Sequence, residues 1–312
     1  MFTFVQKRRW FFLFSAILLS AGVIAMIVSA AATGAPLHLS VDFTGGSLLE
    51  LQFQRAMSPS EVRAVFDEAG LADTTVQTAR SEDDVIIRTK PMQVGTKDAL
   101  EAKLRERFGD FTELRFDSVG PTVGRETTRA AGLAILAASL AILFFIAIAF
   151  RNVPNAFRYG VCAIAKMLHD VLFLIGFASL MGLLAGWEVD SLFLTAVLTV
   201  VGFSVQDVIV VFDRIRENIT RRRGESFETI VNRSLLETLH RSLATQLNGM
   251  FVMVAIIFFG GITIRQFILA MLVGMLCGTY SSLCIGVPLL VVWERGELGR
   301  FFRGLFGRRA TA

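Results

Sequence analysis

Charged residues and cysteines are scarce in this chain of 312 residues. Only 19% of the residues are charged, whereas 54% are hydrophobic. This balance excludes an ordinary soluble domain and favours several membrane spans. The three cysteines, Cys162, Cys277 and Cys284, lie in apolar runs and lack the spacing of metal ligands. We therefore interpret them as small core residues and expect neither a disulfide nor a metal site.

Six apolar runs are long enough to cross the hydrocarbon core of a bilayer, which takes about 20 residues. They cover residues 10–31, 130–150, 157–184, 192–212, 243–261 and 267–293. Basic residues precede the first run and small residues follow it, as in a signal peptide. That run is longer than the roughly 7–15 apolar residues of a signal core, so we expect it to remain as a membrane anchor.

The positive charges favour one orientation of these runs. Lys and Arg residues precede the first run, flank the loop after the second, and follow the fourth and sixth runs. The opposite short loops, "AGWEVDS" and "GGITIRQ", carry one arginine between them. Because short loops rich in Lys and Arg stay in the cytoplasm, we expect a multi-pass protein of the cell inner (cytoplasmic) membrane with both termini in the cytoplasm.

The segment between the first two runs has the composition of a soluble domain and is expected on the outer side. Its alternating and amphipathic patterns predict the order βαββαβ, the ferredoxin-like arrangement. In the first of its helices, Ser58 is the expected N-cap and Glu61 completes a capping box. His38 is isolated, and we find no catalytic cluster. The predicted fold is a polytopic α-helical membrane protein with six transmembrane helices and one α+β ferredoxin-like periplasmic domain between helices 1 and 2.

These patterns divide the chain into four expected parts. The N-terminus and the first helix occupy residues 1–35, and the periplasmic domain occupies residues 36–125. Helices two to six occupy residues 126–294, with a cytoplasmic loop at about 213–242. A basic cytoplasmic tail covers residues 295–312.

Polar residues inside the apolar runs are the candidate functional residues, because a charge at the centre of a membrane helix costs about 2.5–3.5 kcal/mol on insertion scales. Asp207, with Gln206 beside it, lies in the fourth run, and intramembrane acids often serve proton relays. The alternative is a hydrogen bond or ion pair that fixes helix packing. In the third run, Lys166 and Asp170 are spaced to neutralise each other on one helix face. His169 could relay protons or simply pack.

Motifs along nearly the whole chain resemble the SecF family of bacterial membrane proteins, within the RND superfamily. They are "VDFTGG", "LHD", "VVFDRIREN", "NRS", "FFGG" and "GTYSS", in that order. On the residues alone, "FFGG" and "GTYSS" are interpreted as close helix-packing positions. The resemblance implies a lipid-embedded partner of SecD that associates with the SecYEG channel. It also implies that proton-motive force is used to move a translocating preprotein outward, with no enzymatic activity, bound cofactor or nucleic acid.

The resemblance also implies roles for single residues. Asp207 matches an aspartate implicated in proton transport, and Arg241 matches an important arginine. On its own, Arg241 fits a positive-inside anchor or a snorkelling arginine better than a functional residue. Because arginine keeps its proton, we expect Arg241 to act as a fixed counter-charge to a nearby carboxylate. Departures from the family pattern are Gln206 in place of Asn, Lys166 in place of a small or apolar residue, and a fifth run that opens with "RSLATQLNG", which includes Gln246.

Two other functions fit parts of the sequence. Asp170 and Asp207 could form the dyad of an intramembrane aspartic protease. Such proteases typically carry Tyr-Asp and Gly-x-Gly-Asp, whereas this chain has "LHD" and "SVQD". The chain could also be half of an RND-type exporter of small molecules, although such exporters need two related halves. We therefore expect a proton-driven accessory subunit of protein translocation.

Overall fold

The computed structural model describes residues 4–71, 73–78, 82–149, 156–222 and 224–297. The helices are α1 (Arg8–Thr33), α2 (Val41–Thr44), α3 (Pro59–Glu68), α4 (Val94–Phe108), α5 (Pro121–Ala149), α6 (Ala156–Ala185), α7 (Ser191–Arg221), α8 (Phe227–Phe259), α9 (Ile262–Ser281) and α10 (Val287–Glu294). The strands are β1 (Gly46–Phe53), β2 (Thr75–Thr78), β3 (Asp84–Thr89) and β4 (Phe111–Val119). A 3-10 turn, Val5–Lys7, precedes α1, and a π-helical turn, Ser282–Gly286, joins α9 to α10.

The chain forms two compact units. The membrane unit comprises the described parts of Met1–Pro36, Ile135–Leu180 and Leu192–Ala312. The α/β unit comprises the described parts of Leu37–Ala134 and Met181–Ser191. The expected basic tail, residues 295–312, lies mostly outside the described residues.

Among the described residues, six helical segments are long and apolar enough to cross a membrane, which confirms the six predicted runs. They are Val5–Thr33, Pro121–Ala149, Phe157–Ala185, Ser191–Arg221, Phe227–Phe259 and Ile264–Glu294.

Residues 213–242, expected as a loop, are mostly helical and belong to α7 and α8. Hydropathy marks only the apolar part of a helix. Here α7 and α8 continue as helices beyond their apolar parts, and ion pairs between charged side chains support these polar ends. Arg214, for example, binds Glu237 at 2.6 Å and Glu217 at 2.5 Å.

The core of the membrane unit lies among α6, α7, the π-turn and α10. Tyr159, Phe212 and Leu290 are almost fully buried there. The first helix approaches α6 closely, because a Cβ atom on Gly22 would lie 2.9 Å from the Cα of Gly176. Small residues therefore allow these two backbones to meet, as is common between membrane helices.

The α/β unit contains a four-stranded antiparallel sheet with the strand order β2-β3-β1-β4. The element order βαββαβ is the predicted one. Buried residues of α3 and α4, among them Phe66 and Leu104, join Leu49 and Leu51 of β1 in one apolar core. Amphipathic helices and alternating strands thus bury their apolar sides against each other.

The predicted capping box at the start of α3 is wrong. Ser58 occupies the N-cap position, but its side chain makes no capping hydrogen bond. The Ser58 hydroxyl instead pairs with the hydroxyl of Ser60 at 2.7 Å. The backbone N–H of Glu61 donates to the carbonyl oxygen of Ser58 at 3.1 Å. A competing hydroxyl within the first turn therefore replaces the expected side-chain cap.

The segment 181–191 is held to the residues that precede the sheet. The backbone N–H of Val189 donates to the carbonyl oxygen of His38 at 2.7 Å. The carbonyl oxygen of Val189 accepts from the backbone N–H of Ser40 at 2.9 Å. The carboxylate of Asp42 accepts from the N–H and the hydroxyl of Ser191, at 3.0 and 2.8 Å. A charged group at this position also stabilises the N-terminus of α7, which begins at Ser191.

Two adjacent glycines in "DFTGG" are required by the backbone. Gly45 and Gly46 have φ angles of 70° and 120°. A Cβ atom on Gly45 would lie 2.9 Å from the Cα of Pro121, and one on Gly46 would lie 2.8 Å from the carbonyl oxygen of Thr89. Any other residue would clash and would be strained at these angles.

We expect Leu104→Ala to destabilise the α/β unit, because Leu104 is fully buried in its core. Removing a buried leucine side chain costs about 2–5 kcal/mol. Hydrogen–deuterium exchange of the full chain in lipid should show amides of β1 exchanging about 30-fold faster or more. The matched control is Leu114→Ala, since Leu114 is 48% exposed. Equal acceleration in both variants would contradict the described core.

Candidate functional site

Asp207 is a buried carboxylate on α7, with 5% of its surface exposed. The hydroxyl of Ser282, in the π-turn, donates a hydrogen bond to its Oδ2 atom. The same hydroxyl lies 2.9 Å from the carbonyl oxygen of Gly278 and 3.1 Å from that of Thr279. A serine hydroxyl has a single hydrogen, and an ionised carboxylate is the strongest of these acceptors. Ser282 therefore has acceptors on both sides, the carboxylate of Asp207 and two carbonyl oxygens of α9.

Asp207 also lines a cleft of about 90 Å³ between α7 and α8. The lining residues are Phe203, Gln206, Asp207, Val210, Arg241, Ser242, Thr245 and Gln246. The structure thus brings Asp207, Arg241 and Gln206 to one cleft. Within the part of the chain that the structure describes, no ion pair of 4.0 Å or less joins Asp207 and Arg241. Arg241 is exposed near the middle of α8.

A second polar cluster surrounds Asp170 on α6. The Nζ atom of Lys166 lies 3.1 Å from Asp170 Oδ2, and both side chains are almost fully buried. Lys166 also donates to the backbone oxygen of Ser204 at 2.7 Å. The Ser204 hydroxyl contacts both Lys166 and Asp170. This cluster therefore joins α6 to α7 through a closed network of charged and polar groups.

His169 extends the same cluster to α1. Its Nδ1 atom lies 2.9 Å from Asp170 Oδ1, and its Nε2 atom contacts the hydroxyl of Ser15. The thiol of Cys277 also faces Asp170 Oδ1, at 3.8 Å. Ligand atoms of His169, Asp170 and Cys277 lie within 4.8 Å of one another. A metal cation would there compete with the ammonium group of Lys166, so the donor set suits an internal ion pair better than a metal.

The two aspartates consequently differ in their surroundings. Asp170 is enclosed by protein partners, including a full positive charge. Asp207 has a neutral hydroxyl on one side and an open cleft on the other. Of the two acids, Asp207 is therefore the one that borders open space.

Three serines at these sites are not predicted from the sequence. Ser204 lies one helical turn before Asp207, a spacing that places both side chains on one helix face. Ser281 and Ser282 belong to "GTYSS", which the sequence indicates as a packing motif. Gly278 packs beside Ser204, where a Cβ atom would still be in ordinary van der Waals contact, 3.5 Å from the Cβ of Ser204. Ser204 and Ser282 add hydrogen bonds to acids, while Ser281 donates to the carbonyl oxygen of Gly278. The sequence signal for this role is a small hydroxyl residue in an apolar helix.

Known families and relatives match this chain along most of its length. Residues 99–296 match the family described as "Protein export membrane protein SecD/SecF, C-terminal", and residues 31–57 match the "SecD/SecF GG Motif". The protein translocase subunit SecF of Anaerolinea thermophila is 46% identical over 97% of both chains. The protein translocase subunit SecDF of Bacillus subtilis is 34% identical over 95% of this chain and 38% of its own length.

Solved structures agree in fold. The crystal structure of SecDF, a translocon-associated membrane protein from Thermus thermophilus, has a TM-score of 0.77 and 31% identity. It is matched over 94% of this chain and 39% of that chain. A crystal structure of SecDF in a super-membrane-facing form has a TM-score of 0.64 over 97% of this chain and 40% of that chain. The chain thus spans about two fifths of these SecDF chains. It is a multi-pass membrane protein and belongs to the SecF family of protein translocase subunits.

Proposed function

We propose that this chain is an accessory subunit of the Sec protein translocase that uses proton-motive force to promote protein export. Support comes from relatives that are named protein translocase subunits. They match this chain along nearly their whole length. In the Bacillus subtilis relative, a segment like this chain is part of a longer SecDF protein. A separate SecD is therefore the proposed partner. The SecYEG channel and a translocating preprotein complete the proposed assembly.

We further propose that the α/β unit is a ferredoxin-like domain in the periplasm. Its four antiparallel strands and two helices have the element order of that fold. The loop charges support the orientation, because the loop after α7 is rich in arginine whereas the segment 186–190 has none. Both termini then lie in the cytoplasm.

Asp207 is the proposed proton carrier. The supporting observation is a buried carboxylate that borders an open cleft and that, among the described residues, forms no ion pair with the arginine of that cleft. Arg241 keeps its charge at any working pH and acts as the fixed counter-charge. One charge that crosses a potential of about 100 mV releases roughly 2.3 kcal/mol. That energy shifts a two-state equilibrium about 50-fold if it is fully coupled.

The surroundings of the two acids argue against an aspartic protease. Two catalytic carboxylates of that class share one proton at close range. In the described residues, Asp170 is bound to Lys166 and Ser204, while Asp207 is bound to Ser282. The chain is therefore proposed to act without enzymatic chemistry.

We expect Asp207→Asn to abolish the stimulation of export by proton-motive force. The amide has nearly the same size and can still bond to Ser282, but it cannot carry a proton. Export should be measured in inverted membrane vesicles that contain SecD and the channel, with and without an imposed gradient. Gln206→Asn is the matched control, because it changes a neighbouring cleft residue without removing an ionisable group. Full stimulation in Asp207→Asn would refute the proposed proton carrier.

We expect Lys166→Met to destabilise the membrane unit by about 3–5 kcal/mol, because it leaves the buried carboxylate of Asp170 without its cation. The double variant Lys166→Met/Asp170→Asn should recover most of this loss and should keep gradient-driven export. Unfolding in mixed micelles of increasing SDS content measures the first effect, and the vesicle assay measures the second. Loss of export in a stably folded double variant would show that the pair belongs to the proton route.

Cysteine labelling tests the orientation. With the native cysteines replaced, Ser60→Cys in α3 should react with a membrane-impermeant maleimide applied to intact spheroplasts. Arg222→Cys, just after α7, should react only after permeabilisation. Both positions are exposed. Labelling of Arg222→Cys from the outer side would invert the proposed topology.

A further inference from the structure

Two side chains of α8 bring unpaired polar atoms to the cleft. Ser242 and Gln246 are 3% and 6% exposed. Within the described residues, neither Ser242 Oγ nor Gln246 Oε1 has a hydrogen-bond partner. Leaving a buried polar atom unpaired costs about 1–3 kcal/mol, and the large majority of such atoms in proteins are paired with protein or ordered water. These two atoms therefore point to a bound ligand in the cleft.

The chemistry of the cleft suits water as that ligand. Its volume of about 90 Å³ is well above the roughly 10–15 Å³ that one bound water needs. A bound water also needs about two to four polar partners. Asp207, Arg241, Ser242 and Gln246 offer them at the same cleft, and both a donor cation and acceptor oxygens are present. Thr245 contributes less, since its hydroxyl already donates to the carbonyl oxygen of Arg241 at 3.0 Å.

We propose that Ser242 and Gln246 hold a short chain of water molecules between Arg241 and Asp207, through which the proton reaches Asp207. This inference rests on the proposed function. Gln246 Oε1 accepts an O–H from one water and so fixes its orientation. The Ser242 hydroxyl can both accept and donate, so it fits between two waters. Water bridges of this kind take the place of a direct ion pair between the two charged residues.

The proton balance of this step is simple. A hydronium ion at the mouth of the cleft gives one proton to the neighbouring water and becomes water itself. Each water in the chain accepts one proton and passes another on, until an O–H bond forms on the carboxylate of Asp207. The carboxylate becomes a neutral carboxylic acid, and no electrons are transferred. Gln246 is a positioning residue, because its amide neither gains nor loses a proton.

The test measures proton uptake by proteoliposomes that contain this chain and its SecD partner, under an imposed pH gradient. Gln246→Leu keeps the size of the side chain and removes the acceptor, so we expect uptake to fall by about 10-fold or more. Ser242→Ala should reduce uptake by a smaller factor. The matched control is Asn248→Leu, the same amide-to-leucine change on an exposed residue of α8 outside the cleft. It should leave uptake unchanged.

Stability provides the second readout. Because Gln246 Oε1 bonds to no protein group among the described residues and leucine has about the same volume, Gln246→Leu should leave the SDS-unfolding midpoint nearly unchanged. A residue needed only for packing would give a lower midpoint together with lower uptake, and that result would overturn the proposal. Wild-type uptake in Gln246→Leu would also overturn it.

Asp207→Asn in the same preparation separates this inference from the proposed function. If Asp207→Asn abolishes uptake, the proposed function still stands. If Asp207→Asn has no effect on uptake, the proposed function itself fails.

Discussion

A carboxylate inside a bilayer must be stabilised by nearby groups, and the structure meets this constraint in two different ways. Asp170 is bound to the ammonium group of Lys166 and to Ser204. Asp207 is bound to the neutral hydroxyl of Ser282 and borders the cleft beside Arg241. The ion pair lies within α6, and Ser204 joins it to α7; removing one of the two charges would leave the other buried and uncompensated. A carboxylate beside an open, polar cleft is suited to proton exchange, because water can reach it.

The π-turn connects the state of Asp207 to the packing of α9 and α10. Ser282 has one hydrogen and three acceptors within reach. On the proposed function, Ser282 bonds to Asp207 while that residue is ionised and can turn to the carbonyl oxygens of α9 once Asp207 is protonated. Single π-turns in helices are frequent at functional sites. The turn thus places Ser282 between Asp207 and the last turn of α9.

The sequence predicted the features that follow from hydropathy and from single costly residues. The six spans and the βαββαβ order are of this kind. The roles of Asp207, chosen as a costly residue, and of Arg241, chosen from the family resemblance, stay predictions. Features that depend on contacts between distant segments could not be predicted. Ser282 meets Asp207 across 75 residues of sequence, and the bonds of Val189 to His38 and Ser40 join segments that no pattern links. Residues 213–242, predicted as a cytoplasmic connection, are mostly helical because α7 and α8 continue beyond their apolar parts as charged, ion-paired segments, which hydropathy does not detect. The capping box is wrong because Ser60 offers its own hydroxyl to Ser58.

The central claim is that Asp207, and not Asp170, takes up and releases the proton. Infrared difference spectroscopy of the full chain in lipid tests it directly, since a newly protonated carboxyl group adds a carbonyl band on acidification. We expect this band to be absent in Asp207→Asn and to be retained in the double variant Lys166→Met/Asp170→Asn. A band that persists in Asp207→Asn and disappears in the double variant would contradict the claim and assign the proton to Asp170.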